Sequence, residues 1–142
     1  MTTREDEKRR YTRIIFNERN KVQALVVLPD QQEPEQAMPA SVLNMSEGGM
    51  QISIERKKFR TMHRGDTVLL SGIRGVFDLE SLKNLPMKVI WAMDNEYLEH
   101  ILFGMSFSSL SEKEQGVLHT FVTNRLASAA EREKNTHSAM MK

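Results

Sequence analysis

Between residues 22 and 107 the apolar side chains come in short runs, several alternating with polar ones, and none keeps helical spacing. Met50, Ile52 and Ile54 alternate with Gln51 and Ser53. Met87, Val89, Trp91 and Met93 form a second set of this kind, and Phe103, Met105 and Phe107 a third, against Leu102, Gly104 and Ser106. A period of two is the signature of a strand with one buried face. Residues 22–28 (VQALVVL), 40–43 and 67–71 (TVLLS) are short, β-rich runs as well. Turn formers separate them: Pro29 and Asp30, Gly48 and Gly49, Gly65 and Asp66, Gly72, then Asp94 and Asn95. Five or six such strands, with no helix to carry a parallel crossover, predict an antiparallel barrel or sandwich.

Only one stretch has another period. Ser111 and Glu114 stand three apart, as in a capping box, and Val117, Leu118, Phe121, Val122 and Leu126 follow at three- and four-residue spacing. This predicts an amphipathic helix of roughly four turns. Its stripe suits the barrel surface or an open barrel end, and the same stripe would suit a partner. Residues 29–39 (PDQQEPEQAMP) carry three prolines and read as a long hairpin loop. The expected organisation is a flexible arm at 1–7, one domain at 8–126, and a helix extension or flexible tail at 127–142.

The 142-residue length suits one domain. There is no cysteine, which removes disulfides and thiolate chemistry. Apolar runs fall far short of the roughly 20 residues a membrane helix needs, and the charged opening is no secretory signal, so a cytoplasmic protein without membrane insertion is expected. His63, His100, His119 and His137 show no metal-ligand spacing, and no Walker loop, GxGxxG or GxSxG is present. Neither a catalytic residue nor a metal or cofactor is expected.

The formal charge of +1 hides blocks. Lys8, Arg9, Arg10, Arg13, Arg19 and Lys21 stand against Glu18 alone, and Arg56, Lys57, Lys58, Arg60 and Arg64 against Glu55. Between them, Asp30, Glu33, Glu35 and Glu47 have no cation among them. Such blocks are solvated loops or anion sites. Arg9 and Arg13 form a pair four apart, but so do Arg56/Arg60 and Arg60/Arg64, so spacing alone says little. Asn44, Ser46 and Gly49 by themselves make an ordinary turn.

Together and in this order the two patterns resemble the PilZ family of bacterial cyclic di-GMP receptors. That family carries an arginine pair with three residues between, then Asp or Asn, any residue, Ser, two residues and Gly. Arg9 and Arg13 match the pair, and Asn44, Ser46 and Gly49 match the turn, with Asn where Asp is more usual. Arg13-Ile14-Ile15-Phe16, the Gly65-Asp66 turn, Val89-Ile90-Trp91 and the strand ending at Phe107 are similar to family elements too, so the resemblance spans about 8–126. It implies a mainly β fold, a six-stranded antiparallel barrel of PilZ type with a C-terminal helix. It also implies a non-catalytic receptor that binds cyclic di-GMP through Arg9, Arg13, Asn44, Ser46 and Gly49, with Arg10 as a further phosphate contact, and that acts on an unidentified downstream protein. Whether it is a monomer or homodimer stays open.

Arginine suits such a ligand because its planar fork reaches the O6/N7 edge of guanine or phosphate oxygens bidentately. Gly49 is expected to let backbone approach the ligand, or to take a positive φ. Trp91 reads as core, with a ligand-facing edge as the alternative, and Arg56, Arg60 and Arg64 as a basic loop. Two other readings are a PilZ-like protein scaffold without ligand and a nucleic-acid-binding barrel. Aromatics at 6% leave the latter little to stack bases on, so no nucleic-acid partner is expected.

Overall fold

In the computed structural model the alternating runs become strands of one sheet that closes on itself. It describes residues 12–16, 21–28, 37–58, 62–95 and 97–140, with side chains as far as 128. The strands are β1 (Ile14–Ile15), β2 (Gln23–Val27), β3 (Met38–Met45), β4 (Gly49–Glu55), β5 (Thr67–Arg74), β6 (Leu85–Met93) and β7 (His100–Phe107). All pairings are antiparallel, in the order β1-β3-β2-β5-β6-β7-β4, and β4 pairs back onto β3. Six strands, β2 to β7, therefore form a closed barrel, and the two-residue β1 adds beside the end of β3. Closure leaves the barrel no open edge.

The inward positions follow the period of two: Ala24 and Val26, Met38, Ala40 and Val42, Ile52 and Ile54, Leu85, Met87 and Val89, Ile101, Phe103 and Met105 are all buried. Each large aliphatic side chain so buried contributes about 1.5–3 kcal/mol. Proline in residues 29–39 does not keep β3 from beginning at Met38, because Pro39 lies opposite Leu25 where only β2 flanks it. β4 first meets β3 at Ser41. A proline at the start of a strand, beside one neighbour, removes no necessary ladder bond.

The helix, α1 (Glu112–Met140), starts where the capping box places it. Glu114 N–H donates to Ser111 Oγ at 3.1 Å, and Ser111 N–H donates to Glu114 Oε1 at 2.8 Å. α1 continues past residue 126 as one element of 29 residues, through ASAAEREK, which has neither glycine nor proline to stop it. Leu118, Phe121 and Val122 are buried, while Leu126 lies outside the contact at 41% exposure. The helix packs on β1 and on a 3-10 turn at Phe77–Leu79. Phe121 stacks on Phe16, the residue after β1, with centroids 6.2 Å apart, and Arg125 Cζ lies over the Phe121 ring, 5.3 Å from its centroid. Among the described residues, no helix is long and apolar enough to cross a membrane. Phe121→Ala should lower stability by about 3–5 kcal/mol in denaturant unfolding. A loss under about 1 kcal/mol would mean that the helix does not close the barrel.

Candidate functional site

Two extra residues decide which side chains leave the core. In β3 the inward parity of Met38, Ala40 and Val42 would carry Asn44 inside. The β3–β4 register instead slips between Val42 and Asn44, so that Leu43 is additional, Met45 becomes the buried residue and Asn44 turns outward. In β6 the parity of Leu85, Met87 and Val89 would carry Trp91 inside. The β6–β7 register slips between Val89 and Trp91 around Ile90, and Trp91 too turns outward, half-buried. Bulges re-aim side chains in this way without breaking the sheet. Trp91 is thus a wall of a surface cleft, not core.

The floor between these walls is β7. Trp91 lies opposite Gly104, and a Cβ on Gly104 would fall on the indole atoms Nε1, Cε2 and Cδ1. Gly104 also pairs with Gln51 of β4. Gly49 is required for a similar reason: a Cβ there would meet the Met105 carbonyl oxygen and Ser106 Cα. Its φ is not positive, and the backbone it approaches is that of β7.

A cleft of about 740 Å³ results, lined by Arg13, Asn44, Ser46 and Gly49 together with Gln51, Arg64, Ile90, Trp91 and Gly104. Arg9 and Arg10 lie outside the described residues. Arg13 is exposed immediately before β1, and β1 runs beside the turn because Ile14 and Ile15 pair with Met45 and Asn44. Asn44 Nδ2 donates to Gln51 Oε1 at 2.8 Å. That bond orients the amide and leaves Asn44 Oδ1 to accept from elsewhere. Ser46 Oγ accepts from Gly48 N–H at 3.1 Å, and its hydroxyl proton stays available. Glu47, inside the same turn, has its Oε1 3.0 Å from His119 Nδ1, which ties the turn to α1.

No carboxylate or histidine lines the cleft among the described residues, and neither Arg13 nor Arg64 pairs with a described carboxylate. Arg56, in the same segment, is engaged on the β6–β7 hairpin: it reaches Asp94 at 2.7 Å and the carbonyls of Asn95 and Leu98 at 2.7 and 3.0 Å. The cleft is therefore cationic, with a polar turn on one side and an indole on the other. It suits a planar, acceptor-bearing anion.

Gln51, Arg64 and Trp91 are cleft residues that sequence reasoning missed or placed elsewhere. Gln51 had a signal, because a tight turn after Met45 sets it opposite Asn44. Trp91 had none in a period-two reading, which sends it inward.

The sequence profile of the PilZ domain matches residues 7–124. The chain belongs to the PilZ family. A comparison with curated protein sequences returned no match. Among solved structures, the PilZ domain of YcgR from Escherichia coli with c-di-GMP is similar at 15% identity and a TM-score of 0.64, over 89% of this chain and 98% of that one. The Bacillus subtilis inhibitor of motility MotI/DgrA is similar at 16% identity and a TM-score of 0.63, over 90% of this chain and 57% of that one. The K. pneumonia MrkH–c-di-GMP complex is similar at 11% identity and a TM-score of 0.61, over 87% and 54%. This chain thus spans little more than half of the latter two. At such identities the likeness concerns the PilZ barrel and its helix.

Gly104→Ala should push the indole off the β7 floor and shift the fluorescence of Trp91, the sole tryptophan, at a stability cost of about 1–3 kcal/mol. Unchanged emission would place the ring elsewhere.

Proposed function

We propose that this PilZ protein is a non-catalytic receptor for cyclic di-GMP that controls a partner protein. The observation that carries the reading is the cationic cleft, in which Arg13, Asn44 and Ser46 meet around an outward-facing tryptophan. Cyclic di-GMP offers two phosphates and two guanines. Arg13 grips a phosphate or the O6/N7 edge of a guanine through its fork. Asn44 Oδ1, aimed by Gln51, accepts from guanine N1–H and N2–H, the work that the more usual aspartate does with a full charge. Ser46 donates its free hydroxyl proton. The Trp91 face stacks on a base. Arg9 and Arg10, just upstream in sequence, are further cations for the same ligand. Binding there changes the surface beside the Glu47–His119 contact and α1, and so the affinity for the partner.

Calorimetric titration checks this. The wild type should saturate at fixed stoichiometry, and Arg13→Ala should lose saturable binding while melting as the wild type does, since Arg13 is exposed. A folded wild type giving no saturable heat would refute the reading. So would equal competition by a single-stranded oligonucleotide with binding that keeps falling as salt rises.

A further inference from the structure

The geometry points to Arg64 as a further ligand-binding residue, a second cation in the lining of the cleft. This rests on the cyclic di-GMP reading and extends it to a position outside both the arginine pair and the turn motif.

Arg64 lies in the turn before β5, whereas Arg13 precedes β1, so two arginines from separate parts of the fold line one cleft. The Arg64 turn is held firmly. His63 N–H donates to Asp66 Oδ2 at 2.8 Å, and Asp66 N–H to the His63 carbonyl at 3.0 Å. Gly65, at φ +94°, makes the reversal that other residues resist. Gly65 N–H then donates to the Val89 carbonyl at 2.8 Å, and Val89 N–H to the Asp66 carbonyl at 2.9 Å. Val89 is the residue from which the β6 bulge departs. The same backbone bonds that fix the bulge, and with it Trp91, therefore fix the base of Arg64.

Arg64 is exposed and has no carboxylate partner among the described residues. A long cationic side chain on a braced turn loses less freedom on binding than one on a turn without such bonds. Arg64 thus takes a second phosphate or guanine edge of the ligand. Two arginines lining one cleft also match a ring that carries two phosphates.

The test is calorimetric titration of the full chain with cyclic di-GMP, comparing wild type, Arg64→Ala, Arg64→Lys and Arg13→Ala, with apo melting curves as the control for folding. Arg64→Ala should weaken binding about 10- to 100-fold without changing the apo melt, and Arg64→Lys should recover only part of it, since lysine lacks the fork. Wild-type affinity in Arg64→Ala, with binding lost in Arg13→Ala, would overturn the role of Arg64 and leave the receptor intact. Absence of binding by the folded wild type would overturn both. If Arg64→Ala lowers the melt, Arg64→Gln supplies the same comparison, and wild-type affinity in that variant overturns the role.

Discussion

The cleft depends on two register slips. Leu43 and Ile90 are each one residue too many for their ladders, and each turns the next residue in its strand from the core to the surface. Without the first, Asn44 would be buried in the barrel and Met45 would be outside. Without the second, Trp91 would compete with Met105 and Phe103 for interior volume. A bulge stretches one ladder locally and leaves the rest of the barrel paired, so the site costs the fold little. Both slips adjoin the β4–β7 floor, where Gly49 and Gly104 remove the side chains that would otherwise fill the space.

The core and the site thus use one set of strands with opposite faces. β4 and β7 send Ile52, Ile54, Phe103 and Met105 inward, and Gln51 and Gly104 to the cleft. The helix joins both roles. Phe121 closes the barrel against Phe16, and two residues earlier His119 touches Glu47 in the turn that carries Asn44 and Ser46. Under the proposed reading, a ligand that moved this turn would act on α1 through the Glu47–His119 contact and so on a surface that a partner could sense.

Most of the barrel was legible because burial of one face imposes a period of two, and the capping box marked the helix start to the residue. What escaped was what breaks the period. Trp91 continued an alternating row, so a bulge was needed to expose it; an asparagine at the inward parity of Met38, Ala40 and Val42 was the one hint that a ladder slips. The strand at Met38 was hidden by Pro39, which is tolerated where a single neighbour flanks β3. Arg64 looked like any cation of a basic segment until the Gly65 turn was seen stitched to Val89. Gly49 does not take the positive φ that was one of its two expected reasons: a side chain there would meet the backbone of β7. The helix beyond residue 126 runs on as its alanine- and glutamate-rich sequence allows.

The central claim is that one cleft, lined by Arg13, Arg64 and the Trp91 indole, holds the messenger. Amide and indole N–H chemical shifts recorded by NMR during titration of the labelled protein with cyclic di-GMP test it most directly. The account predicts that the largest changes fall on residues 44–51, on Arg64, on the Trp91 indole and on Gly104, with smaller ones at His119. Changes concentrated on the opposite face of the barrel, or on the exposed hairpin around Tyr97, would contradict it.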